Sequence, residues 1–135
     1  MIQVFCAKRG SGKTRRLIEL ANNRQLDAKG DAVYIDKDSK PIFQLTRGIR
    51  LVDTNEYNVE SWSSFYGMIC GILSSNYDIE NIYIDGIGKI AKCKIGESGE
   101  LLEKIDLLAK KLNVNVYINA EISDEIPECI QGYII

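Results

Sequence analysis

The stretch AKRGSGKT at residues 7–14 gathers the residue types that handle phosphate. Gly10 and Gly12 allow backbone N–H groups to turn inward around phosphate oxygens, through dihedrals that a Cβ hinders. Lys13 brings a compact positive charge to the outer phosphates, and the Thr14 hydroxyl is a hard oxygen ligand suited to Mg²⁺. A helix starting near Lys13 would add the positive end of its dipole at the same place. The matching pattern is G-x-x-x-x-G-K-[ST]. It departs only at its first position, where Ala7 stands and leaves the dihedral of that corner open. Ala7, Lys8, Arg9, Gly10, Ser11, Gly12, Lys13 and Thr14 are therefore the expected contacts of a nucleoside triphosphate, written here as ATP, with Thr14 on the Mg²⁺.

Such a site needs a second anchor for the metal. Residues 81–85 read NIYID, an apolar run ending on an acid, which predicts a buried strand with Asp85 at its carboxyl end. In a parallel sheet that edge is where ligands bind. Asp85 would act directly or through a metal-bound water, because Mg²⁺ keeps several waters.

The elements that must position these groups alternate along the chain. Residues 2–6, 32–35, 51–52, 81–85, 114–118 and 132–135 read as strands. Apolar residues at helical spacing predict helices over 13–23, 59–74 and 99–112, with a helical turn or short segment at 42–45. Alternation of this kind implies right-handed crossovers and a mostly parallel sheet of about five strands, covered on both faces in a three-layer α/β/α arrangement. With 135 residues and no visible internal repeat, a single domain over 1–135 accounts for the chain.

Composition narrows the chemistry. There is no histidine, so triads and imidazole acid–base catalysis are excluded. Cys6, Cys70, Cys93 and Cys129 are scattered and read as reduced thiols rather than zinc ligands. A net charge of -2 gives no support to nucleic-acid binding through a broad basic surface. No run of about 18 apolar residues occurs, so no membrane span is expected, and the absence of a signal peptide gives the cytoplasm as the expected location.

The order of these features resembles the RecA-like branch of P-loop ATPases over most of the chain. The resemblance rests on AKRGSGKT, on the Walker B-like NIYIDGIG, and on the strand NVYINAEIS. It implies a RecA-like fold with strand order 5-1-4-3-2. Many P-loop ATPases carry a water-activating glutamate directly after the Walker B aspartate, but Gly86 follows Asp85 here. The base must then come from elsewhere in the chain, come from a partner, or be missing. RecA-like proteins often carry it at the end of the second strand, where VYIDKDSKP offers Asp36 and Asp38, and Glu121 is a further candidate. The resemblance also places Asn119 beside the γ-phosphate. It marks residues 86–98 as a remnant of a DNA-binding loop, without carrying recombination activity over.

Basic and aromatic residues remain. Lys8, Arg9, Arg15 and Arg16 suit a solvated surface or extra phosphate contacts. Arg47 and Arg50 are candidates for an arginine donated across a subunit interface. Trp62, Phe65 and Tyr66 suit core packing. The leading expectation is a small ATPase working with a protein partner or as a homo-oligomer. A small-molecule kinase of nucleoside type is the alternative enzyme; such kinases usually carry an arginine-bearing lid, and the basic KIAKCK at residues 89–94 has no arginine. A regulatory module that binds nucleotide without hydrolysing it is the third reading.

Overall fold

Side chains alternate along five strands, apart from one register irregularity at Asp31 and Ala32, and this sorts the core into two layers. The computed structural model describes residues 1–122 and 128–135. The strands are β1 (Ile2–Ala7), β2 (Asp31–Asp36), β3 (Ile49–Asp53), β4 (Ile79–Asp85) and β5 (Asn115–Glu121). Every pairing between them is parallel. One face presents Val4, Val33, Ile35, Ile82, Ile84, Val116 and Ile118 to α2 (Trp62–Ser75), α3 (Ile87–Ala91) and α4 (Gly99–Leu112). The other presents Tyr34, Tyr83 and Tyr117 to Leu17, Ile18 and Ala21 of α1 (Lys13–Asp27). Helices on both faces bury the central strands completely, which is why β4 is apolar on both sides. The three-layer α/β/α arrangement with a five-stranded parallel sheet is thus observed.

Numbered along the chain, the order is β1-β5-β4-β2-β3, not 5-1-4-3-2. Two local events account for the difference. Residues 49–53 extend into a full edge strand, because Leu51 and Ile49 pack toward α1 while Val52 packs toward α2. At the other edge, the expected strand over 132–135 contributes a single parallel bridge, Val4 to Ile134, since α5 (Glu128–Gln131) takes up the residues before it. If the bridge is counted as the last strand and β3 is left out, the expected succession is recovered.

Two further expectations change in detail. The second long helix begins at Trp62 rather than at residue 59. Ser61 caps it: its hydroxyl accepts from the Ser64 N–H at 3.2 Å, while the Ser64 hydroxyl accepts from the Ser61 N–H at 3.1 Å. Residues 86–98 are no open loop. They close into α3 and a 3-10 turn, Ile95–Glu97, with Ile87, Ile90, Ala91 and Ile95 buried. Phe65 lies in the core, and Trp62 and Tyr66 pack against it beneath the Lys104 ammonium. Cys6, Cys70 and Cys93 are free thiols, whereas Pro127 and the side chain of Cys129 lie outside the described residues.

Candidate functional site

The chain leaves β1 at Ala7 and enters α1 at Lys13, so residues 8–12 must reverse it within five positions. Gly10 and Gly12 do this with φ of 79° and 83°, and no atom lies within 4 Å of the Cβ position of either. The conformation is one that side-chain-bearing residues rarely adopt. Ala7 stands where the pattern has glycine, but it is the last extended residue of β1 and needs no left-handed backbone. That settles the open corner. Lys13 turns its ammonium back over the loop to the Lys8 carbonyl, at 3.2 Å.

The strands facing this loop end in a polar row. Asn119 pairs in register with Asp85 and with Phe5, Asp36 pairs with Asp53, and Asp36 lies one step beyond the Ile35–Ile84 pair. Asp36, Asp53, Asp85 and Asn119 each lie two residues beyond a residue of the α1-facing layer, so they share its face at the carboxyl edge of the sheet. Asp85 is the centre of the row. Its Oδ1 accepts from the Thr14 hydroxyl at 3.2 Å and from Asn119 Nδ2 at 2.8 Å, and its Oδ2 accepts from the Tyr34 hydroxyl at 2.7 Å. Asn119 also accepts from the Gly86 N–H through Oδ1, so both ends of its amide are engaged. It is 2% exposed and holds the start of α3 against Asp85.

The candidate bases part company here. Asp36 is half-buried beside Asp85, and its carboxyl pKa is pushed up to about 7. Burial is the main cause and the Asp85 charge the second, while the bond from the Lys37 N–H and the Lys89 charge pull the other way. Asp38 is exposed and folded into its own turn, accepting from the Lys40 N–H at 2.9 Å with the Lys40 ammonium 3.9 Å away. It does not join the row. Glu121 sits at the end of β5 and lines the same cleft as the loop.

That cleft has a volume of about 440 Å³. Arg9, Gly10, Gly12, Lys13 and Thr14 line it together with Asp85, Asn119, Lys89, Cys93 and Lys94. The Lys89 stem lies over Gly86, its Cδ 3.8 Å from the Cβ position there. Burial pushes the Cys93 thiol pKa up, so it is held as the protonated form. A second, more apolar cavity of about 380 Å³ adjoins the loop, lined by Phe5, Cys6, Leu17, Leu20 and Arg16. Arg15 pairs with Glu19 at 3.3 Å on the exposed side of α1, an arrangement worth little energetically. Arg47 and Gly48 precede β3 and so stand at the opposite edge of the sheet, and Arg50 lines a groove between β3 and α2. Neither arginine reaches the cleft of its own chain.

Among the described residues, no group of three or more His, Cys, Asp or Glu side chains could hold a metal. The donors fit Mg²⁺ of the kind that takes one or two protein oxygens and completes its shell from phosphate and water. The Thr14 hydroxyl and the Asp85 carboxylate, which accepts three hydrogen bonds, are such a pair. No helix among the described residues is long and apolar enough to cross a membrane. No protein-family model matches the chain, and no curated protein sequence matches it.

Sequence reasoning missed Tyr34 and did not place Lys89 or Cys93 at the site. A signal for Tyr34 was present. The tripeptide Tyr-Ile-Asp occurs at residues 34–36 and 83–85, each ending a strand, and Tyr-Ile-Asn at 117–119, two residues before the end of its own. Period two places the three tyrosines on one face beneath the polar row.

Proposed function

We propose that this chain binds a nucleoside triphosphate with Mg²⁺ and acts as a small RecA-like ATPase of the cytoplasm, with a protein partner or as a homo-oligomer. The observation that carries the reading is the contact between Thr14 and Asp85, 71 residues apart, at the mouth of a loop held open by two left-handed glycines. The loop amides and Lys13 bind phosphate oxygens, and Thr14 with Asp85 would hold the metal. When bound, Mg²⁺ offsets phosphate charge and fixes the geometry of the outer phosphates. Lys89 lines the same cleft and adds positive charge there. Asp36, with its pKa near 7, is the in-chain group suited to take a proton from water.

Gly86 favours a second reading in which nucleotide is bound but barely hydrolysed. No carboxylate follows Asp85, and Asp38 is committed to its own turn. Both readings meet the same first test, calorimetric titration of the protein with ATP in Mg²⁺ and in EDTA, alongside Lys13→Ala. Saturable one-site binding that weakens in EDTA and is lost in K13A is expected. Wild-type protein that takes up no triphosphate at millimolar concentration ends both. Phosphate release by concentrated protein, with and without a nucleoside acceptor, then separates ATPase, kinase and non-hydrolysing module.

A further inference from the structure

Tyr34, Tyr83 and Tyr117 lie side by side across β2, β4 and β5, in register, with ring centroids 6.3 Å and 5.3 Å apart. All three are buried under α1 and contribute the same kind of apolar surface. Their hydroxyls differ. Those of Tyr83 and Tyr117 have no hydrogen-bond partner, whereas that of Tyr34 donates to Asp85 at 2.7 Å. A short bond from a phenol to a carboxylate is charge-assisted and about twice as strong as a neutral one. Burial, and next the Asp85 charge, raise the Tyr34 pKa well above the usual tyrosine value, so the group remains a donor.

The bond also completes a set. Thr14 and Asn119 both donate to Oδ1 of Asp85, and Tyr34 donates to Oδ2. Donors on both oxygens fix the plane of the carboxylate and keep Oδ1 aimed at the Thr14 hydroxyl. With Oδ2 released, a buried oxygen would lack a donor and the plane could turn, carrying Oδ1 out of line.

We propose that Tyr34 is a positioning residue for the metal-holding half of the site, acting through Asp85. This rests on the triphosphate·Mg²⁺ reading and adds to it a residue that touches neither metal nor nucleotide. Outer partners of metal-holding groups typically change metal affinity by about 10–100-fold when removed.

The test is a Mg²⁺ titration of nucleotide binding, followed with a fluorescent ATP analogue, on the full chain carrying Tyr34→Phe or Tyr83→Phe. In Y34F the half-saturating Mg²⁺ concentration rises about tenfold, while affinity in EDTA stays at the wild-type value. In Y83F both are unchanged, because its hydroxyl has no partner. Equal Mg²⁺ midpoints for Y34F and wild type overturn the proposal, as does an equal shift in Y83F, which would mark a packing effect. Wild-type protein that binds no analogue under any condition removes the triphosphate reading itself, and the proposal with it. The unmodified protein supplies a second measurement should Y34F fail to fold. The Tyr34 hydroxyl proton gives a slowly exchanging NMR resonance that shifts when Mg²⁺ joins bound nucleotide, and a resonance indifferent to Mg²⁺ overturns the proposal.

Discussion

β2 and β4 end side by side on an aspartate, each preceded by Tyr-Ile, and yet the two carboxyl groups differ in character. Asp85 is 7% exposed and receives three side-chain donors, from Thr14, Asn119 and Tyr34. Asp36 is less deeply placed, receives the Lys37 N–H, and faces the Asp85 charge. The difference lies in what surrounds each carboxyl group at the sheet edge. At Asp36, burial penalises the charged form and the neighbouring Asp85 charge adds to that penalty, whereas Asp85 is held by three directed donors. One strand end is fixed by hydrogen bonds, and the next is poised to gain or lose a proton.

Replacing Asp85 is the largest perturbation of that contrast. Asp85→Asn puts an amide N–H₂ against at least one of three existing donors, and it removes the charge that would face the metal. The Mg²⁺-dependent part of nucleotide affinity falls by about 10–100-fold, as measured by titration in Mg²⁺ against EDTA. A D85N protein with wild-type Mg²⁺ dependence would dissolve the contrast, because Asp85 would then be an ordinary buried acid.

Asp36→Asn sharpens the comparison from the other side, and its sign is opposite to that of most carboxylates. The folded-state pKa of about 7 lies above the ordinary 3.8, so the protonated acid is the form the fold favours. The stability tied to it is whole below 3.8 and is lost as pH rises through about 7. Asparagine keeps that neutral form at every pH. D36N should therefore melt above wild type at pH 8 and match it near pH 4. A constant difference across that range would show that Asp36 does not titrate between the two values. If Asp36 also serves as the base, D36N leaves nucleotide binding in place and lowers phosphate release.

Asp38→Asn is the smallest change. Its carboxylate caps an exposed turn, so stability should move by no more than about 0.5 kcal/mol in urea unfolding, and any phosphate release should be unchanged. A drop in turnover in D38N but not in D36N would exchange the roles given to the two acids.

Much of this site is legible in the sequence. AKRGSGKT lies between β1 and α1, and Asp85 is the last residue of β4. The short-range reading placed these elements correctly because glycine punctuation and hydrophobic period are local properties. Asp36 and Asp38 look alike as sequence, two acids two residues apart. They separate only because Asp36 still belongs to β2 and Asp38 lies in the turn beyond it. Residues 86–98 look like a glycine-bearing loop, yet four apolar side chains between Ile87 and Ile95 find room in the core and close it into helices.

By itself, then, the sequence determined a glycine-turned loop before a helix, an acid ending a buried strand, and a layered α/β arrangement. Residue type, spacing and periodicity act over a few positions and need no knowledge of the partner strand. Only the tertiary structure decided the strand order, and with it the contacts made by Asp85. Thr14, Tyr34 and Asn119 lie 71, 51 and 34 residues away along the chain. Their meeting is set by the register of β2, β4 and β5 and by α1 packing across them. Directed hydrogen bonds depend on distances of a few ångströms, and a parallel sheet brings such distances together only after long crossovers have closed.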